Sequence, residues 1–258
     1  MKLYFKYFSI QLQSQLQYKS TFFLNILGRI AMSFANVAGV LFMLARFNKI
    51  EGFTFNQTLL CSSVVTISFS IIEAFACGFD IFPRLLSNGE FDRMLVRPRG
   101  IIFQVLASNI EFMRLGAFIQ AVIILCYSIF NSDFIWTFNK FLTLFLMISC
   151  GTVVFWGLYI VQASFSFFTT EGLEVMNILT RGGQMFGRYP FSIYGRGVLK
   201  FLTYVIPLAL FQYYPLLYLT DKSQNMFYIF TPLLSLLFLI PCYLLFCIGL
   251  RYYKSTGS

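Results

Sequence analysis

Long apolar runs separated by short polar segments constrain this sequence more than any other feature. An α-helix rises about 1.5 Å per residue, so about 20 apolar residues cross the ~30 Å hydrocarbon core of a bilayer. Charged residues make up only 11% of the chain, against about a quarter in soluble domains. The sequence therefore predicts an all-α polytopic membrane protein with six transmembrane helices. The six runs are 21–45, 57–79, 101–130, 141–168, 201–219 and 226–250.

Residues 1–19 precede the first run and are not predicted to cross the membrane. At about 100° per residue, polar side chains fall on one arc of a helix and apolar side chains cover much of the rest. The pattern predicts an amphipathic helix that lies in the plane of the lipid headgroups, with a plain cytoplasmic lead-in as the alternative. The polar arc consists of Lys2, Lys6, Ser9, Gln13 and Gln17.

The distribution of Lys and Arg residues predicts the orientation of the chain. With the N-terminus in the cytoplasm and six alternating spans, 13 of these residues lie inside and 4 outside, which is a strong positive-inside bias. Moving residues 188–200 outside gives 10 against 7 and the same orientation. Both termini and segment 80–100 are therefore predicted to be cytoplasmic. The four outside residues are Arg46, Lys49, Lys140 and Lys222.

Segment 80–100 is the most charged part of the chain, and we refer to it as the polar segment. Pro83 suits the first turn of a helix and Asn88-Gly89 suits its end, which predicts a short helix at 83–87. Apolar side chains within the segment are predicted to be exposed and, with its mixed charges, fit a surface that docks a partner. The alternative is a solvated loop whose charges only fix topology. The apolar residues are Phe82, Leu85, Leu86, Phe91 and Met94.

A few ionisable residues lie within or beside the apolar runs. Glu111 and Arg114 are three residues apart, so on a continuous helix they share a face, and Glu73 lies near the cytoplasmic end of the second run. We interpret the three as a structural ion pair, with substrate binding as the alternative. Glu171 and Glu174 follow the fourth run and are interpreted as charges at a helix N-terminus, with contact to an ATPase as a second possibility.

Several classes of function are excluded by residue types that the sequence lacks. It has no histidine, so the commonest metal ligand and general base are missing, and its six cysteines form no C-x-x-C pair. It has no G-x-x-x-x-G-K-[ST] phosphate loop, so ATP must bind to another chain if ATP drives this protein. The net charge of +9 follows from membrane topology and does not imply nucleic acid. We predict no catalytic residue, no metal site and no cofactor bound by this chain.

Two stretches resemble one family of membrane proteins. GEFDRMLVRPRG resembles the segment after the second span of ABC-2 family permeases, the membrane subunits of type-2 ABC exporters. FGRYPFSIYGRGVLKFLTYVIPLALFQYYPLLYL is similar to the A-R-Y-P-x-S-I-Y…V-I-P pattern of one bacterial subgroup, whose end the tail YYKSTGS also resembles. With the six-span layout, the resemblance covers the whole chain, 1–258, as a single transmembrane permease domain.

The resemblance implies a permease of the bacterial cytoplasmic membrane that exports an amphipathic or hydrophobic substrate, such as a drug, antibiotic, peptide or lipid. It also implies a cytoplasmic dimer of ABC ATPases that holds ATP and Mg, and a second permease, which is more readily a different chain than an identical one. The polar segment would then be a coupling helix that docks on the ATPase. A secondary transporter that works alone is the alternative function. The docking residues would be Arg84, Glu90, Asp92, Arg93 and Arg97.

The fifth crossing has two interpretations. Hydropathy selects 201–219, whereas the resemblance implies that 172–189 crosses and that 190–220 forms short re-entrant helices on the outer side. Prolines at 190, 207 and 215 interrupt that stretch, as broken helices require. The residues that would form the re-entrant motif are Arg188, Tyr189, Pro190, Tyr194 and Pro207.

Overall fold

A computed structural model describes residues 2–47, 52–132, 134–169 and 177–253. The elements in these ranges are helices. The first nine α-helices are α1 (Lys2–Leu16), α2 (Lys19–Phe47), α3 (Phe55–Phe75), α4 (Cys77–Asp80), α5 (Phe82–Ser87), α6 (Glu90–Leu95), α7 (Ile101–Ser108), α8 (Leu115–Phe130) and α9 (Phe138–Phe165). A π-helix at Ile178–Gly182 then leads into the α-helices Gly183–Gly187, Gly195–Tyr204, Leu208–Leu219, Thr231–Ser235 and Leu239–Tyr252.

Within the described residues, four helices are long and apolar enough to cross a membrane, and a bent pair raises the number to five. The pair comprises Phe191–Tyr204 and Leu208–Leu219, which meet at 116°. The 29-residue α2 coincides with the first predicted run but is not among the four. The chain is therefore a helical, multi-pass membrane protein, and six crossings stay a prediction. The four helices are Phe55–Phe75, Phe112–Phe130, Phe138–Phe165 and Thr231–Tyr252.

Helix α3 is the centre of the fold. It packs against α8 and α9, and 83% of its most apolar stretch is buried inside the protein. The C-terminal helix, by contrast, lies at the periphery with 22% of its apolar stretch buried. Its exposed leucines and isoleucines form the kind of surface that a lipid environment favours.

Helix α1 has the predicted amphipathic character. Lys6, Ser9, Gln13 and Gln17 of the predicted polar arc are exposed. The opposite face packs on a small cluster around Phe22, Ile110 and Phe112. The residues of that face are Tyr4, Phe8, Leu12 and Leu16.

The third predicted run, 101–130, is not one helix, contrary to expectation. α7 ends at Ser108, and Asn109 is extended at φ −145° and ψ 129°. A single 3₁₀ turn, Phe112–Arg114, then leads into α8. A hydropathy profile does not reveal this break, because the break depends on distant side chains. Side chains of α1 form hydrogen bonds with the backbone groups that the break leaves without helical partners.

The predicted run 201–219 is also not one helix. A helix ends at Tyr204, and Pro207 stands directly before the next helix, Leu208–Leu219. Pro215 lies inside that helix without ending it, contrary to the prediction. The fixed φ of proline is compatible with a helix, and buried neighbours such as Leu216 hold this one in place. The alternative crossing at 172–189 lies partly outside the described residues, as do Glu171 and Glu174.

Candidate functional site

The polar segment, residues 80–100, folds into two short helices. The helix expected at 83–87 is present as α5, with Pro83 in its first turn. A second helix, α6, was not indicated by the sequence pattern and follows directly. Gly89 joins the two with φ 68°, a left-handed conformation that glycine adopts without steric cost. The two helices therefore form a compact, sharply turned unit.

Of the five apolar side chains predicted to be exposed, four are buried and Met94 is half-buried, so that prediction is wrong; Leu95 and Val96, which it did not include, are exposed. Phe82 and Phe91 are both 0% exposed, and their rings meet edge to face at 5.2 Å. Phe167 lies 5.2 Å from Phe82 and 5.6 Å from Phe91. Tyr253 completes this group of rings at 5.0 Å from Phe91. The physical reason is that membrane helices supply apolar partners, so burial of these rings is more favourable than exposure to water. Leu85 and Leu86 are likewise buried, and Met94 is half-buried.

The charged side chains of the segment lie on the opposite side. Four of the five predicted docking residues are exposed: Arg84, Glu90, Arg93 and Arg97. The fifth, Asp92, is partly buried and accepts a hydrogen bond of 3.0 Å from the hydroxyl of Tyr253. Partial burial, together with the carboxylate of Asp92, raises the pKa of Tyr253 to about 12. Asp92 therefore connects the polar segment to the end of the C-terminal helix and does not belong to the exposed face of the segment.

Contacts with α7 fix both the polar segment and α4, the helix that leads into it. The side-chain amide of Gln104 donates to the backbone carbonyls of Met94 and Arg99, at 3.0 and 2.9 Å. Gly78 of α4 faces the carbonyl of Val105, and a Cβ at Gly78 would collide with that oxygen. The close approach of these two short helices depends on the missing side chain.

A cluster of ionised side chains lies at the start of the polar segment. Arg114 is buried and forms ion pairs with three carboxylates. The distances from its guanidinium nitrogens to the carboxylate oxygens are 2.5 Å for Glu111, 2.7 Å for Glu73 and 3.5 Å for Asp80. The structure thus brings together the three residues named as an ion pair, and it adds Asp80. Glu111 and Arg114 meet across a turn and not along one helix face. We call these four residues the Arg114 cluster.

Two further arginines flank the Arg114 cluster. Arg181 donates to Asp80 at 3.2 Å, and Arg29 lies 3.9 Å from Glu73. Three arginines therefore face three carboxylates, which balances the charge around the buried side chains of Arg114, Glu73 and Asp80. Because unpaired ions are costly in a low-dielectric interior, this balance is what allows the cluster to exist there.

The break between α7 and α8 is held by two glutamines of α1. Gln11 donates to the carbonyl of Ser108 at 3.0 Å and accepts from the N–H of Ile110 at 2.5 Å. Gln15 donates to the carbonyl of Ile110 at 2.5 Å and accepts from the N–H of Phe112 at 3.0 Å. Backbone groups that leave a helix at membrane depth need such partners. The only sequence signal for this role was the i, i+4 spacing of two amides on one helix face.

The residues of the predicted re-entrant motif lie around one buried amide. Gln212 is 0% exposed and donates to the carbonyls of Gly187 and Tyr189, at 3.2 and 3.0 Å. Tyr194 donates to the carbonyl of Phe186 at 3.0 Å. These three bonds stabilise the end of the helix that precedes the buried Pro190. Gln212 was not identified from the sequence, although this residue organises the turn. Arg188 lines a cavity described below.

A model of the ABC-2 family transporter proteins matches residues 30–257. The chain belongs to the ABC-2 transporter family. Comparisons with curated proteins and with solved structures give no match. The predicted family is confirmed, and the bacterial subgroup stays a prediction. This ABC-2 protein is the membrane component of an ABC transporter, a class that implies an ATPase partner.

The described part of this ABC-2 protein offers little for chemistry on a substrate. None of its described residues form a group of three or more metal-ligand side chains suited to a metal ion. Its ionised groups pair with one another, and its polar side chains hold irregular backbone in place.

Proposed function

We propose that this chain is the permease subunit of an ATP-driven exporter that moves an amphipathic or hydrophobic substrate. A separate dimer of ABC ATPases binds ATP and Mg, because the sequence has no phosphate loop of its own. A second permease, a different chain, completes the path. The complex lies in a bacterial cytoplasmic membrane with both termini of this chain inside, in accord with the Lys and Arg distribution.

The two-sided character of the polar segment is the observation that carries this proposal. Its outer side presents Arg84, Glu90, Arg93 and Arg97 to the surroundings. Its inner side is packed among aromatic rings of the core. A partner that binds the outer side therefore grips a rigid body, and a push on that body reaches the membrane helices without first bending a loop.

Two sets of contacts would carry this movement. The ring of Phe91 contacts Phe167 after α9 and Tyr253 after the C-terminal helix. Asp80, at the start of the segment, is paired with Arg114 before α8 and with Arg181 in the π-helix. ATP-driven closure of the ATPases would thus shift several spans together and expose the path alternately on the two sides.

A stand-alone secondary transporter requires ionisable groups near the bilayer midplane. The helices α3, α8 and α9 offer little of this kind. Within α3 the single charged residue is Glu73, two residues from its end, and α8 has none. Within α9 the single charged residue is Lys140, in its first turn. Charges at the ends of spans fit coupling to a partner outside the membrane.

The test is to tag the chain in its own cells, purify it in mild detergent and measure the ATPase activity and the chains that co-purify. The wild-type protein should bring down an ATPase and a second permease. The double variant Arg84→Glu with Arg93→Glu should lose most of the ATPase activity and keep the second permease. Its matched control is Arg196→Glu with Lys200→Glu, which reverses two exposed charges on another helix. Equal ATPase recovery from both double variants, or a lone chain that transports without ATP, would refute the proposal.

A further inference from the structure

A cavity of about 340 Å³ opens at the surface beside α3. Its wall reaches from Thr66, in the middle of that helix, to Glu73 in its last turn. At about 1.5 Å per residue this is roughly 10 Å along the span. The volume is at the small end of the range for ligand pockets.

Three arginines line this cavity, from two different parts of the chain. Arg29 comes from α2, and Arg181 and Arg188 come from the π-helix and the turn after Gly183–Gly187. Between the latter two, Gln184 and Met185 also line the wall, so the four residues share one face at i, i+3, i+4 and i+7.

Carboxylates of the described residues neutralise only part of the positive charge of this wall. Arg181 is bonded to Asp80, and Arg29 has Glu73 at 3.9 Å. Glu73 is itself bonded to Arg114 at 2.7 Å. No carboxylate of the described residues forms an ion pair with Arg188. An arginine within a membrane protein that lacks a counter-charge raises the free energy of the folded state. Such an arginine is therefore treated as a functional site by default.

The rest of the wall is apolar. Met32, Phe69, Ala117 and Met185 border the arginines, and Met32 and Met185 continue onto the exposed surface. A second cavity, of about 300 Å³, lies beside the same segment, 178–187, but is lined by apolar residues and Tyr194, with no charged residue. The first cavity therefore differs from this apolar neighbour by its three arginines.

We propose that the first cavity binds the anionic headgroup of an amphiphile, with its apolar chain against Met32 and Met185. Guanidinium groups bind phosphate and carboxylate oxygens through paired, charge-assisted hydrogen bonds, and Arg188 has its donors available for this. The inference rests on the proposed function, for which it narrows the substrate class from amphipathic compounds to anionic ones. The same chemistry would also hold an anionic phospholipid of the surrounding bilayer.

The experiment measures ligand binding to the purified chain in an uncharged detergent, by native mass spectrometry. The probes are phosphatidylglycerol, which is anionic, phosphatidylcholine, which is zwitterionic, and inorganic phosphate. Phosphatidylglycerol should bind at least tenfold more tightly than phosphatidylcholine, and inorganic phosphate should not displace it at equal concentration. Arg188→Gln and Arg29→Gln should each weaken the binding of phosphatidylglycerol by roughly tenfold or more, as expected for the loss of a hydrogen bond between charged groups.

The matched control is Arg196→Gln, which removes an exposed arginine outside the cavity and should leave binding unchanged. Thermal unfolding of each variant shows that it is folded. Equal binding of the two lipids, equal effects of Arg188→Gln and Arg196→Gln, or full displacement by inorganic phosphate would each overturn the proposal. Because lipid binding is measured without ATP hydrolysis and through arginines of the cavity, such a failure is separate from failure of the docking proposal, which depends on Arg84 and Arg93.

Discussion

Replacement of Arg114 is expected to destabilise this protein more than any other single change in the polar clusters. Arg114→Met keeps an unbranched stem in place of that of arginine and removes the guanidinium group from between three carboxylates. Two of these, Glu73 and Asp80, have side chains that are only 12% exposed. Without Arg114, Glu73 keeps only Arg29 at 3.9 Å, whereas Asp80 keeps Arg181 at 3.2 Å.

The size of the effect follows from this geometry. Removing one partner of a buried ion pair costs about 3–5 kcal/mol, because the other charge stays buried and unpaired. We expect about 4 kcal/mol for Arg114→Met, since Arg181 still compensates one of the three carboxylates. The triple variant Arg114→Met with Glu73→Gln and Glu111→Gln should recover roughly half of the loss, because it removes the unpaired charges.

The assay is a reversible unfolding titration with sodium dodecyl sulfate in mixed micelles, followed by tryptophan fluorescence. The control is Lys140→Met at the Lys140–Asp221 pair, which is also 2.7 Å long but leaves behind a carboxylate that is 61% exposed. A loss of about 1 kcal/mol is expected there. If Arg114→Met costs no more than Lys140→Met, or if the triple variant is less stable than the single one, the Arg114 cluster is hydrated and the reasoning is refuted.

Three further changes test individual contacts by the same unfolding assay. Gln11→Leu with Gln15→Leu should cost about 2–4 kcal/mol, because it leaves four backbone groups of the break without partners; an effect equal to that of Gln13→Leu on the exposed arc would contradict this. Tyr253→Phe should remove a contribution to the free energy of unfolding that is fully present below the ordinary tyrosine pKa of about 10 and is lost as pH rises through the raised pKa of about 12. The difference in stability from wild type should therefore be constant between pH 6 and 9, and a difference that varies in this range would contradict the prediction. Gly78→Ala should destabilise by about 1–3 kcal/mol through the collision with α7, and an unchanged midpoint would show that the two helices can separate freely.

Several features followed from local sequence because local physics decides them. The apolar runs gave helices, since a bilayer requires internally bonded backbone. Pro83 and Gly89 marked the ends of α5, because proline fixes φ and glycine accepts a left-handed turn. Lys6, Ser9 and Gln13 of the polar arc of α1 are exposed, as their spacing indicated.

Other features depend on residues that are distant in sequence. The break after Ser108 is stable because Gln11 and Gln15 bond it from nearly 100 positions away. Phe82 and Phe91 looked like a docking surface because the segment around them is charged, and their burial depends on rings at the far end of the chain. No pattern within the segment itself carries that information.

Asp80 connects the docking surface with the cavity, which leads to a final prediction. It begins the polar segment and bonds Arg181, one of the three arginines of the cavity wall. A shift of the segment must therefore move or release a cavity arginine, and an anion that binds Arg181 must compete with Asp80. Asp80→Asn should keep the ATPase attached, because the exposed face of the segment is unchanged.

In the purified complex, the Asp80→Asn variant should hydrolyse ATP at a rate that no longer responds to phosphatidylglycerol, whereas the wild-type rate should change at least twofold. Asparagine can still accept a hydrogen bond, so the loss would come from the charge and not from the shape of the side chain. Asp221→Asn is the control, since it removes a carboxylate that is paired elsewhere. A lipid response that persists in Asp80→Asn would show that movement reaches the cavity by another route, through the rings around Phe91.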